Sequence, residues 1–246
     1  MKKLLLSRGP AKRGAAALVF LALLAAGCPL QAQTAWQEEF AKMPLASRAP
    51  ELNRSNCVAA MLGSFRRNPA VKGLIFMPGA TDEFYFFRRA RARLTNSPPT
   101  LLDAVEALTN QTYIRATLRP PFLLLHTAED PLEPISVVVD RKTADSIQRH
   151  HYDKAAIYDD RDWDYMEHLL GFYLNTNMRP RPFSHDSNHF FRHSFAEFDL
   201  NGWEALEAVA MAGKTKFTVK KNMVVFDLDD RALGAPPLEG FSPDPF

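Results

Sequence analysis

The chain resembles itself at an offset of 101 residues. Laying Thr100 to Thr127 on Asn201 to Leu228 without gaps aligns four identities: Ala104/Ala205, Glu106/Glu207, Ala107/Ala208 and Thr117/Thr218. Eleven further or overlapping pairs are apolar in both copies, among them Leu102/Trp203, Val105/Leu206, Leu118/Val219 and the run Phe122–Leu125 against Met223–Phe226. The pattern in each copy is a helix, a strand, a tight turn and a strand. Upstream the match continues with a three-residue shift, Phe86-Phe87-Arg88-Arg89 against Phe190-Phe191-Arg192-His193, each leading into an extended segment. The period is far longer than that of a solenoid. It predicts an α+β fold of two related small modules, each strand-helix-strand-strand with its helix packed on a small sheet. The alternative is a chance likeness between two common helix–hairpin units.

The boundaries follow from local signals. Residues 1–32 read as a signal peptide and 33–52, with Pro44 and Pro50, as a flexible leading segment. The first module is expected over 53–140. Within it, Asn53 caps a helix from Arg54 to Arg67, Val71 to Met77 is a strand and Ala90 to Leu94 alternates as a strand does. Thr100 caps a helix to Asn110, and Tyr113 to Leu118, Phe122 to Thr127 and Ile135 to Asp140 are strands. Residues 141–185 form a connecting segment with an amphipathic helix over 161–174, using Trp163, Met166, Leu169, Leu170 and Tyr173. Asn175 to Ser187 reads as loop. The second module spans 186–230, with Phe190 to Leu200 extended, Asn201 to Ala212 helical and two strands to Leu228. A Pro-rich tail occupies 231–246.

The leader sets the compartment. Lys2, Lys3, Arg8, Lys12 and Arg13 precede a twelve-residue apolar run, Ala15 to Ala26, too short for a span of about 20 residues. This is the pattern of a secretory signal peptide. Two processing points compete. Leu30-Gln31-Ala32 fits cleavage before Gln33, giving simple export. Ala25-Ala26-Gly27-Cys28 is similar to a bacterial lipobox, in which Cys28 is lipidated and anchors the protein to a membrane. The expected location is periplasmic or extracellular. Without the five leader cations the chain has 25 basic and 28 acidic residues, against 30 and 28 in the whole chain. A near-neutral chain gives no support to nucleic-acid binding. Only Cys57 remains beyond the leader, so no intramolecular disulfide is expected, and its apolar neighbours predict a buried, inert thiol.

The second copy, Phe198 to Ala210 followed by Lys214 to Leu228, resembles the short N-terminal domain of secretins and TonB-dependent receptors. Those modules read as an extended segment, a small loop, a helix with Ala-Leu spacing and a hairpin. The resemblance covers about 30 to 40 residues per copy and leaves 33–80 and 141–185 without a counterpart. It implies binding or assembly with an envelope protein partner rather than chemistry. Sheet edges and hairpins are the implied contact surfaces, since an edge strand offers unpaired backbone groups. It carries over no catalytic residue and no cofactor.

The candidate chemistry is sparse. His185, His189 and His193, spaced four and four, would share one face of a helix and suit zinc. Their neighbours Pro182, Ser184, Asp186 and Asn188 argue against a helix. In a strand, residues four apart lie roughly 13 Å apart. Zinc, and with it a secreted metal-dependent hydrolase, is therefore the alternative reading. Asp159, Asp160, Asp162 and Asp164 suit the N-terminus of the helix expected at Arg161. Arg89, Arg91 and Arg93 share one face of a period-two strand and form a candidate contact for an anion or an acidic partner. No Gly-x-Ser-x-Gly elbow is present.

Overall fold

The protein is described here by a computed structural model covering residues 35–47, 49–53, 56–77, 91–127, 133–151, 156–161, 177–180 and 193–229, with Met166, Leu170, Leu174 and Arg231. Its class is α+β. Among the described residues, helices α1 (Cys57–Ser64), α2 (Leu101–Gln111), α3 (Arg141–Arg149) and α4 (Gly202–Ala212) accompany eleven strands. In chain order these are β1 (Glu51–Leu52), β2 (Gly73–Met77), β3 (Ala92–Arg93), β4 (Arg115–Arg119), β5 (Phe122–His126), β6 (Ser136–Val138), β7 (Ala156–Arg161), β8 (Asn177–Pro180), β9 (His193–Glu197), β10 (Thr215–Lys220) and β11 (Met223–Leu228). Among the described residues these form three sheets: β1-β3, β6-β10-β11-β8 and β4-β5-β2-β9-β7.

The expected helix–hairpin units form in register. Helices α2 and α4 begin and end 101 residues apart. Each starts with a reciprocal capping box. Thr100 Oγ1 accepts from Asp103 N, and Asp103 Oδ2 from Thr100 N, at 3.2 and 2.7 Å. Asn201 and Glu204 repeat this at 2.9 and 2.8 Å. Such boxes satisfy two N–H groups that the helix cannot. The hairpins close on Arg119↔Phe122 and Lys220↔Met223, again 101 residues apart.

The correspondence extends well upstream of these units. Strand β5 pairs in parallel with β2 from Gly73↔Phe122, and β11 with β8 from Asn177↔Met223, so β2 and β8 are 104 residues apart. Antiparallel β1–β3 (Leu52↔Ala92) corresponds to β7–β9 (Ile157↔Ala196). The bridges Pro44↔Thr100 and His151↔Asn201 occupy like places. Beside them Leu101 N donates to Met43 O at 2.8 Å and Gly202 N to His150 O at 2.7 Å. The described part of 33–52, residues 35–47 and 49–52, is thus no loose lead-in: 35–40 is helical, Trp36, Phe40, Met43 and Leu45 are buried, and Trp36 meets Phe40 edge-on at 5.2 Å. Nor is 141–185 a mere connection, because it supplies α3, β7 and β8.

Other elements differ from expectation for physical reasons. Strand β7 takes in Asp159, Asp160 and Arg161, so the acidic pair lies in a strand and residue 161 does not begin a helix, while Asp162 and Asp164 lie outside the described residues. The helical residues Met166, Leu170 and Leu174 are buried at four-residue spacing, one face of a helix. Strand β8 lies in the expected loop and ends on Pro180, which an edge strand tolerates because no ladder donor is lost on its open side. Helix α1 starts at Cys57 rather than Arg54, with Asn53 O accepting from Cys57 N at 2.9 Å.

The two units do not keep separate sheets. Strand β9 pairs antiparallel with β2, which joins the β4-β5-β2 and β9-β7 pieces into one five-stranded sheet. One face of that sheet (Leu74, Phe76, Leu123, Leu125, Ala196) packs with α1, α2 and the residues near 36–45. The other face (Ile75, Phe122, Leu124, Phe195) packs with α4, Met166, Leu170, Leu174 and the second sheet's Phe217, Val219, Val224 and Phe226. Burial on both faces accounts for the unbroken apolar runs Leu74–Phe76 and Phe122–Leu125. Helix α4 therefore lies between two sheets.

Candidate functional site

The surface that departs most from an ordinary solvated face is the free edge of the second sheet. Strand β6 joins β10 in parallel, at Phe217↔Ser136, Thr218↔Val137 and Val219↔Val138. Phe217 N donates to Ile135 O at 2.9 Å, and Val139 N donates to Val219 O at 2.9 Å. Among the described residues no strand lies beyond β6. A Val-rich run ordinarily marks a buried strand. Here Val137 is 48% exposed and Val139 69%, with Ile135 and Val138 also exposed.

The face of this sheet turned away from α4 follows from strand alternation. Thr215, Phe217 and Val219 are buried toward α4, which puts Lys216, Thr218 and Lys220 on the outer side. The partners of these three across the hairpin are Asp227, Val225 and Met223, and Val137 lies beside Thr218. The outer face thus carries two half-buried lysines and the buried Val225 beside an exposed aliphatic rim. The same positions in the first unit read Arg115, Thr117 and Arg119 opposite His126, Leu124 and Phe122. There the face is covered: Phe122 and Leu124 share a core with α4, and the Arg119 charge acts on the Glu207 carboxyl. Burial outweighs that attraction, so Glu207 titrates above the usual carboxylate range. Lys72, just before β2, pairs with Glu204 of α4 at 3.0 Å.

The residues singled out from sequence are scattered. Cys28, Arg89, His185 and His189 lie outside the described residues. His193 is the first residue of β9, in register with Arg161, so its backbone is extended rather than helical. Among the described residues no group of three or more His, Cys, Asp and Glu is placed to hold a metal ion. Arg91 and Arg93 flank the buried Ala92 and are both exposed, as period two requires. Arg93 stands opposite Glu51, and its backbone exchanges two 2.9 Å hydrogen bonds with the Gln111 side chain. Cys57 is buried, and loss of solvation pushes its thiol up to about 12, which leaves no thiolate for chemistry. Ser64 is structural: its Oγ donates to Ala60 O at 2.5 Å and accepts from Ala46 N at 2.6 Å.

Two features escape a reading of the sequence. One is Glu197 of β9, fully buried, with Oε2 lacking a hydrogen-bond partner among the described residues. Burial pushes its carboxyl up to about 8. Strand alternation was its only sequence signal, and that is too weak to mark a carboxylate as interior. The other is the exposure of β6, which depends on a pairing set 80 residues further along the chain. His126, also buried, has Nε2 at 2.8 Å from Thr117 Oγ1 and so takes part in a local hydrogen bond.

Among the described residues no helix is long and apolar enough to cross a membrane. No protein-family model, curated protein or solved structure matches this chain.

Proposed function

We propose that this chain is an exported, non-enzymatic binding or assembly module, built from two copies of one α+β unit and working in the bacterial envelope. The observation that carries the reading is the aliphatic edge Ile135–Val139, exposed on both sides of a three-residue strand that offers backbone groups for further pairing. An edge of this composition in contact with water alone is an aggregation hazard, so a partner that covers it gives it a reason to persist. The equal registers of the two halves support the duplication. The leader supports export, whether the protein is released after Ala32 or held by a lipid on Cys28. The likeness of the helix–hairpin unit to secretin and TonB-receptor N-terminal domains agrees with this reading, which assigns no cofactor.

The alternative, a zinc-dependent hydrolase, makes an opposite demand. Purified protein analysed for metal and melted with and without a chelator separates the two. The binding reading expects no stoichiometric metal and superimposable melts. Near-stoichiometric zinc with a Tm lowered by chelator would overturn it in favour of His185, His189 and His193.

A further inference from the structure

We infer that the free edge of β6 pairs antiparallel with β6 of a second copy of this chain, across a twofold axis at Val137. The inference rests on the binding reading and names its partner. Every residue from Ile135 to Val139 is exposed, Ser136 included.

The backbone allows one register. Ile135 O and Val139 N point toward β10, where they bond Phe217 N and Val219 O at 2.9 Å each. Successive residues of a strand turn their backbone groups to opposite sides, so Ser136 and Val138 present N–H and C=O to the open side. Among the described residues none of these four groups has a hydrogen-bond partner. An antiparallel partner exchanges bonds with a residue that also faces outward. Centred on Val137, the two copies set Ser136 opposite Val138 twice and form four N–H···O=C bonds. Centred on Ser136, they would set Val138 against Pro134, which has no N–H. Centred on Val138, they would set Ser136 against Asp140, whose N–H is already donated to Val219 O at 3.1 Å.

The side chains agree with that register. On the outer side Val137 meets Val137 and Ile135 meets Val139, so the aliphatic rim covers itself. Further out on the same side, Glu133 of one copy stands opposite Arg141 of the other, at both ends. Asp140 is still extended (φ −116°, ψ 103°), so the chain runs along the edge as far as Arg141, the first residue of α3. Arg231 Nη2 donates to Glu133 O at 2.8 Å and fixes the backbone at the other end. The Glu133 and Arg141 side chains are 81% and 83% exposed. Their neighbours within the chain, Arg119 at 3.7 Å and Asp145 at 3.2 Å, are surface contacts of the kind that hold a side chain weakly. Opposite charges facing across two strands favour pairing, and like charges oppose it. The strand is short, so association is reversible. The two surfaces are identical, so it closes at the dimer.

Sedimentation velocity over a concentration series tests this on the native protein, Glu133→Arg and Arg141→Glu. Native mass should climb to the dimer and stop there. Each variant alone opposes like charges at both ends and should need at least tenfold more protein to dimerise. An equal mixture of the two should dimerise as readily as the native protein, because the exchanged charges then match. Thermal melts confirm that both variants keep the fold. Under mild oxidant Val137→Cys should form a disulfide dimer at least tenfold faster than Val139→Cys, although Val139 is the more exposed. Only position 137 meets itself, at a Cα separation of about 4.5 Å that a disulfide can bridge. A protein monomeric up to about 1 mM, a mixture no better than its components, or equal cross-linking at the two positions overturns the inference. A photo-crosslinking residue at Val137 in expressing cells separates this failure from failure of the binding reading. Adducts between two copies support the inference. Adducts only with another protein overturn self-pairing and keep the binding reading, and no adduct overturns both.

Discussion

Glu197 is a carboxyl placed where solvation cannot reach it, on the strand that joins the two halves through β2. Its ordinary value of 4.5 is raised to about 8 in the folded chain, with burial as the cause. Below pH 4.5 the group is protonated whether folded or not, and it costs nothing. As pH rises from 4.5 toward 8 the unfolded chain releases the proton and the folded chain keeps it, so stability falls. Above about 8 the penalty is complete and constant, on the order of 5 kcal/mol at 1.36 kcal/mol per pH unit. The variant Glu197→Gln should therefore gain Tm over the native chain progressively from pH 5 to 8 and match it near pH 4.5. Parallel Tm curves for the two proteins would show that the carboxyl is solvated. Gly202 is constrained in another way, by a neighbour rather than by charge. A Cβ there would run into the Ile147 carbonyl oxygen and lie 2.8 Å from Leu174 Cδ2, whereas at Gly63 it would meet only Ala46 Cβ at 3.5 Å. Gly202→Ala should cost about 1–3 kcal/mol in urea unfolding. Gly63→Ala, inside α1, should be neutral or stabilising by up to about 1 kcal/mol.

At the scale of elements, helices α2 and α4 and their hairpins were legible because their signals are local. Thr100 and Asn201 cap their helices through residues three positions on, Gly213 stops α4, and Lys221-Asn222 turns the hairpin with Asn222 at φ 52°. Strands β7 and β8 were not legible. One carries two aspartates and the other ends on proline, and each exists through one long-range pairing, with β9 and β11 respectively. Strand β6 was legible as a strand but not as an exposed one, since exposure depends on what lies beyond it. This separates two valines in paired strands. Val137→Lys should change stability by no more than about 0.5 kcal/mol, as exposed substitutions do, while weakening binding of a partner at this edge. Val219→Ala, in the core under α4, should cost about 2 kcal/mol or more. Equal losses for the two would mean that β6 is covered within the monomer.

The whole molecule is less divisible than its repeat suggests. Strand β9 of the second half completes the first half's sheet, and α4 fills the space between both sheets. Neither half buries its apolar faces alone, so the chain should unfold in one transition, with far-UV ellipticity and tryptophan emission changing together. Two separated transitions would show the units to be independent. The candidate surface also belongs to this scale. Lys216, Thr218 and Lys220 can be read as one strand face from their alternation, but that this face is outward, and that its twin is covered by α4, comes from the packing of one unit on the other.

By itself the sequence determined the α+β class, the caps of α2 and α4 with their hairpins, the 101-residue correspondence and the inert setting of Cys57. Short-range hydrogen bonds and the periodicity of apolar side chains decide each of these within a few residues. Only the tertiary structure decided that β9 crosses to the first sheet, that residues 35–45 belong to the core, that Glu197 is interior and that β6 faces water. Those outcomes depend on which surfaces meet over 80 or more residues, and many pairings satisfy the same local preferences until burial of both sheet faces selects one.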